Sequence, residues 1–220
     1  MKPQLPIIIH VPHASTFIPS EEWHTFVTSG LQREIICMTD HYCDDLFMSE
    51  HEMVRFPISR LVCDVERFRD DSREAMSTKG MGAVYSACSD GSLLRNIRDM
   101  DKERILSAYY DVHHRILNRA VRKRIKEYGK CLIVDGHSFF KVPLPHENDK
   151  ALDRPDFCIG TDDFHTPGWI RERLTDYFMH RGYSVKVDSP FAGTMVPETY
   201  YRKDERVMSV MIEINWGFYF

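Results

Sequence analysis

Two short segments carry the residue types that chemistry needs. Val134-Asp135-Gly136-His137-Ser138 closes the apolar run Cys131-Leu132-Ile133-Val134, and His10-Val11-Pro12-His13-Ala14-Ser15 follows Ile7-Ile8-Ile9. Each run reads as a buried strand, and Asp135 and His137, two apart, share one face of theirs. A carboxylate and an imidazole at the end of a buried strand are costly to desolvate without a metal, a proton or each other. Two strand ends that each deliver a histidine predict one site at the edge of one sheet. A hydrolytic zinc site takes three protein ligands and leaves a position for water. His13 and His137 supply two. The third is a carboxylate from Thr39-Asp40-His41-Tyr42-Cys43-Asp44, expected to open a helix that runs to about Met48. Asp40 and Asp44 would share a face of that helix. The helix dipole accounts equally well for an aspartate at Asp40, which turns the ligand choice to Asp44.

Glu213 stands among apolar neighbours in Val210-Met211-Ile212-Glu213-Ile214. A lone glutamate on such a strand is seldom structural, and a general base or an ion-pair partner is its expected role. Ser59-Arg60-Leu61-Val62-Cys63-Asp64-Val65-Glu66-Arg67 sets two arginines around a further apolar run. Arginine forks suit substrate carboxylates; pairing with Asp64 or Glu66 is the structural alternative. Asp135 is placed to orient a ligand histidine. His114 is a weaker candidate, and the remaining histidines read as structural or surface residues.

These residues need a frame. Strands are expected at 5–11, 53–56, 61–65, 131–135, 157–160, 183–187 and 207–214, with 53–56 and 61–65 as a possible pair. Helices are expected near 20, 39–48, 101–128 and 167–181. Ile105, Ala108, Tyr109, Val112, Ile116 and Leu117 give the longest helix one apolar face, and Gly129 ends it. Residues 68–98, mixed in charge and carrying three glycines, read as a long excursion or lid. Strands alternating with helices imply an α/β three-layer sandwich on a mixed, mostly parallel sheet, with ligands beyond the strand carboxyl ends.

The 220 residues suggest one domain over 1–220, and 43% hydrophobic with 28% charged is globular composition. A net charge of -4 argues against nucleic acid as a partner. No stretch has the length of a membrane span, and Met1-Lys2-Pro3-Gln4-Leu5-Pro6 lacks the features of a signal peptide. Six scattered cysteines read as reduced thiols of a cytoplasmic protein.

Taken in order, these segments resemble the N-formylglutamate amidohydrolase family, itself similar in fold to zinc carboxypeptidases. The resemblance is carried by His10–Ser15, Thr39–Asp44, Ser59–Arg67, Asp135–Ser138, Arg154–Thr161, Phe191-Ala192-Gly193-Thr194 and the strand with Glu213. It implies a zinc carboxypeptidase/phosphorylase-hydrolase-like fold and a single Zn2+ on His13, His137 and a carboxylate of the 40–44 segment. Glu213 is then the base, and Arg67, with Arg60, holds a substrate carboxylate. Asp40, Asp64, Asp135, His114 and Thr194 remain weaker site candidates. The implied reaction is hydrolysis of a small N-acyl amino acid, N-formyl-L-glutamate first. Glu66 departs from the asparagine usual in the family, and Tyr42 stands where members often have histidine. The alternatives are an amidohydrolase or peptidase with another substrate, and a binding protein without turnover.

Overall fold

The computed structural model describes residues 6–219. Its strands are β1 (Ile7–Val11), β2 (Glu52–Arg55), β3 (Cys131–Phe139), β4 (Phe157–Gly160), β5 (Val185–Val187) and β6 (Val207–Asn215). They form one sheet in the order β2-β1-β3-β6-β4-β5. The first four in that order run parallel, while β4 is antiparallel to β6 and parallel to β5. The mixed, mostly parallel α/β sheet expected from the sequence is the sheet observed.

The helices are α1 (Leu31–Met38), α2 (Cys43–Leu46), α3 (Asp99–Ile105), α4 (Asp111–Tyr128) and α5 (Gly168–Met179). A π-helical turn, Leu106–Tyr110, joins α3 to α4. α4 buries His113, Leu117, Ala120 and Val121, one stripe at helical spacing, and Gly129 closes it at φ 75 with its N–H on Ile125 O. The stripe packs with Ile8, Ile133 and Val207 on one face of the sheet. On the other face Leu132, Val210 and Ile212 pack with Ile170 and Leu174 of α5. The result is three layers.

A further core lies outside the sheet. Phe56, Leu61, Val62, Val65, Met81, Tyr85, Leu94 and Ile105 are among its members. The run 61–65, expected as a strand, is an irregular turn inside this core, and β2 pairs with β1 instead. Its backbone is satisfied locally: Val62 N donates to Ser59 O at 2.9 Å and Asp64 N to Ala83 O at 2.8 Å. Short apolar runs mark burial without fixing the element that is buried. The segment 68–98 divides. Met81, Ala83, Tyr85, Leu94 and Arg95 are fully buried or nearly so, while residues 68–79 form the exposed outer part.

Candidate active site

Strand register sets the first row of the site. Ile8, Ile133 and Val207 face α4, so the same face farther along carries His10, Asp135, His137 and Glu213. His10 lies in register with Asp135 and His137 with Glu213. These four side chains emerge side by side at the carboxyl ends of parallel strands, where α/β sheets bind ligands.

Gly136 lets the next carboxylate approach. On the opposite face of β3 a Cβ at this position would meet the Phe47 ring at 2.7 Å. Without one, the end of α2 lies against the sheet and the chain before it runs past β1, where Asp40 N donates to His13 O at 3.0 Å. The helix expected over 39–48 shortens to α2, because Tyr42 reverses the chain at φ 62. Asp40 turns inward and is buried. Asp44 turns outward and pairs with Arg55. The common helix face on which the two were compared does not form, and the ligand role expected for Asp44 is corrected.

Each central histidine is gripped on one nitrogen and open on the other. His13 Nε2 lies 2.9 Å from Asp64 Oδ1, and His137 Nδ1 lies 3.0 Å from Asp40 Oδ2. A carboxylate so placed fixes the ring orientation and leaves the second nitrogen free for a cation. His13 Nδ1 and His137 Nε2 are buried with no hydrogen-bond partner. Glu66 Oε2 faces both, at 3.9 Å and 3.1 Å. The ligand atoms of His13, Glu66 and His137 all lie within 4.8 Å of one another. Asp40 Oδ2 is also 3.8 Å from His13 Nδ1.

A second grouping of His10, Asp135 and Glu66 adjoins the first. Its inner space is taken: His10 Nδ1 lies 2.7 Å from Asp135 Oδ1, and His10 Nε2 lies 2.9 Å from His113 Nε2. Asp135 Oδ2 accepts Met195 N at 2.8 Å, and Oδ1 is 3.3 Å from His137 Nε2. Asp135 is thus held from three sides.

Burial alone would raise Asp40, Asp64 and Asp135. The hydrogen bonds and charge of His13 and His137 outweigh it at Asp40, Arg60 with His13 at Asp64, and His137 with His10 at Asp135. All three are held below the usual carboxylate range. Burial also opposes charge on His137, but Glu66 and Asp135 raise it well above its ordinary value. That ring is surrounded so as to carry positive charge, a proton's or a cation's. Glu213 behaves differently. Burial pushes its carboxyl up to about 8 against the pull of His137, with Asp40 and Glu66 adding, and its Oε2 is buried without a partner.

The cluster opens into a cavity of about 880 Å³ lined by Arg60, Arg67, Arg69 and Arg73 among others. Arg60 is bound to Asp64 Oδ2 through Nε at 3.1 Å and Nη2 at 2.7 Å. Arg69 is tied to Glu103 and Asp111, and Arg73 to Glu198. Arg67 Nε lies 3.7 Å from Asp64 Oδ2 and has no hydrogen-bond partner. His114 lines the cavity, but its Nε2 is 2.8 Å from Val65 O and its ring stacks on Tyr110. Thr194 Oγ1 is 2.7 Å from Ser209 Oγ. Sequence reasoning missed the place of Glu66 beside both histidines, the grip of Asp64 on His13, and His10 with His113 behind Asp135. Glu66 carried a signal, an acid amid arginines; the others carried none at short range.

A mixed α/β sheet with open-sided imidazoles and a raised-pKa glutamate at its carboxyl edge is the construction of a hydrolase. The chain belongs to the N-formylglutamate amidohydrolase family, whose profile matches residues 5–220. It is 24% identical over 228 residues to N-formylglutamate deformylase of Pseudomonas putida, across 98% of this chain and 82% of that one. The crystal structure of N-formylglutamate amidohydrolase from Ralstonia eutropha JMP134 superposes with a TM-score of 0.80 at 20% identity, covering 97% of this chain and 82% of its own. Gene product Atu2144 of Agrobacterium tumefaciens gives a TM-score of 0.68 at 16% identity, over 96% and 81%. At these identities the two structures speak for the fold.

Proposed function

We propose that this chain hydrolyses the amide bond of a small N-acyl amino acid, N-formyl-L-glutamate being the first candidate, with one zinc ion held by His13, His137 and Glu66. The observation that carries the metal is the pair of buried open nitrogens, His13 Nδ1 and His137 Nε2, with Glu66 Oε2 beside them. Two imidazoles and one carboxylate are a donor set of catalytic zinc sites. Family membership carries the substrate.

When bound, zinc supplies Lewis acidity at the acyl carbonyl and lowers the pKa of the attacking water. Asp64 and Asp40 hold the two histidine rings in place. Glu213 takes the proton from the attacking water and returns it to the leaving amine; a carboxyl raised toward neutrality suits both transfers. Arg67 holds a substrate carboxylate, which fixes the amide over the histidines. Closure over the substrate falls to residues 68–79. All six cysteines are free and five are buried, which suits a reducing, cytoplasmic setting.

Metal content and turnover test the reading together. Purified protein should hold one zinc per chain, lose turnover of N-formyl-L-glutamate on chelation and regain it with zinc. Undiminished turnover by the stripped protein would remove the metal from the proposal. Hydrolysis of other N-acyl amino acids, with none of N-formyl-L-glutamate, would keep the chemistry and change the substrate.

A further inference from the structure

The loop between β3 and β4 brings Leu144, His146 and Glu147 to the cavity. It lacks regular secondary structure and is tied down along its length. Lys79 Nζ donates to His146 O at 2.7 Å and to Asn148 Oδ1 at 2.6 Å. Lys150 Nζ donates to Leu144 O and Pro145 O at 2.8 Å and 2.7 Å. Glu147 accepts Leu144 N on one oxygen at 2.9 Å and Arg154 on the other. Arg154 also reaches Phe140 O and Asp149 O. A loop held this way keeps what it carries in one position.

At its centre is an imidazole with an unmet nitrogen. His146 Nδ1 is buried and has no hydrogen-bond partner. Buried polar atoms in native structures are nearly always paired, so each exception needs an account. Arg67 Nε is another such orphan on the same cavity. Burial, and then the charges of Arg60, Arg67, Lys79 and Lys150, hold His146 down to about 4. The imidazole is therefore neutral at pH 7, with one N–H to give, and the charged groups that act on it are cations. Arg60 is neutralised by Asp64, and both lysines are committed to the loop. That leaves the Arg67 guanidinium, whose Nε has no hydrogen-bond partner, to be met by an anion.

We propose that His146 is a specificity-determining residue, donating from Nδ1 to the same substrate carboxylate that Arg67 holds. A carboxylate offers about four lone-pair directions, so an arginine fork along one edge leaves room for a donor on the other. The proposal rests on the amidohydrolase reading for the identity of the carboxylate, an N-acyl amino acid's, and on the two orphaned atoms for its existence.

L-Glutamate, which has no scissile amide, separates the two. Its binding to the zinc-loaded protein is measured by calorimetry, beside KM and kcat for N-formyl-L-glutamate. His146→Ala should weaken L-glutamate binding and raise KM about tenfold, the scale of one hydrogen bond to a charged group, with kcat nearly unchanged. His146→Asn should recover most of that loss, because its amide nitrogen can stand near the position of Nδ1. A purely structural role of the ring would not give this rescue. Equal affinity in wild type and His146→Ala overturns the proposal, as does a failure of wild type to bind L-glutamate or of His146→Asn to restore binding. His146-dependent binding in a protein that hydrolyses no N-acyl amino acid would sustain the subsite and sink only the amidohydrolase reading.

Discussion

The two walls of the cavity are built in opposite ways. On one, His10, Asp135, His137 and Glu213 stand on β1, β3 and β6, where β3 and β6 stay in register from Cys131 opposite Val207 to Phe139 opposite Asn215. Main-chain ladders position these groups. On the other, Asp64, Glu66, Arg67 and His146 stand on irregular chain, and side chains hold them. Asp64 accepts from Arg60, from Tyr85 OH at 2.7 Å and from Glu66 N at 3.0 Å. Tyr110 OH donates to Arg67 O at 2.8 Å, and His114 Nε2 lies 2.8 Å from Val65 O. Reacting groups need placement within a fraction of an ångström, which a ladder provides. Recognition belongs on chain whose side chains can be exchanged without moving the sheet. Loss of a group from the sheet wall should therefore remove chemistry and spare the fold, while loss of Arg67 or His146 from the loop wall should change substrate affinity.

The largest expected effect is on the histidines that join the walls. His13→Ala or His137→Ala should abolish stoichiometric zinc and essentially all turnover, while the far-ultraviolet circular dichroism of the sheet is kept. Full zinc occupancy in both variants would remove the metal from these residues. Glu213→Gln comes next. It should keep its zinc and lose on the order of 10²-fold or more in kcat, the range for a positioned acid–base group. An unchanged kcat would make Glu213 a structural residue and leave the sheet wall with no proton carrier.

This contrast also explains what was legible in the sequence. The sheet wall announces itself, because its apolar runs break into His10, Asp135, His137 and Glu213 at the points where the strands leave the core. The mixed sheet could be read from that pattern alone, as could the buried place of Glu213 on its strand. The loop wall has no period. Leu61-Val62-Cys63-Asp64-Val65 looks like a strand, yet it is buried by contacts with residues 81–105 that no local rule foresees. Asp44 outranks Asp40 only if the chain continues as a helix, and the reversal at Tyr42 decides otherwise. Residues 81–95 look like a polar excursion, yet Arg95 is 0% exposed and donates to the carbonyls of Val62 and Tyr85. The misreadings at 61–65 and 81–95 come from long-range contacts that override a local preference, and the one at Asp44 from a left-handed residue inside its own segment.

α4 spans both walls, with His113 behind His10 and His114 against Val65. Burial lowers His113 to about 2 and His114 to about 4. Both lie below the unfolded value, so the unfolded chain takes up protons first as the pH falls. Their contribution is fully present above about pH 6.5 and is lost toward the folded values. For His114 the loss at pH 5 is about 2 kcal/mol. Glu213, raised to about 8, works in the opposite sense over this interval, so the histidine contribution is read by difference. Urea midpoints between pH 7 and pH 5 should fall less in His114→Gln than in wild type. Parallel pH dependence in the two proteins would show that the neutral imidazole contributes nothing to stability.

The last comparison is the most discriminating, because it sorts three carboxylates, Glu66, Asp40 and Asp44. Glu66 reaches the open nitrogens of both histidines from the loop wall, Asp40 holds the Nδ1 side of His137, and Asp44 is occupied with Arg55. Removing an orienting carboxylate typically weakens metal binding 10–100-fold, and Asp40→Asn should fall at about the lower end of that range. Glu66→Gln should cost more, since it removes a donor rather than a support. Asp44→Asn should change zinc affinity by about twofold at most, as expected for a partly exposed ion pair outside the site. Competition with a chromophoric chelator measures all three. If Asp40→Asn proves the more damaging, Asp40 is the third ligand; Glu66 is then a charge on the substrate wall, and its replacement should alter which N-acyl amino acids bind while zinc affinity stays the same.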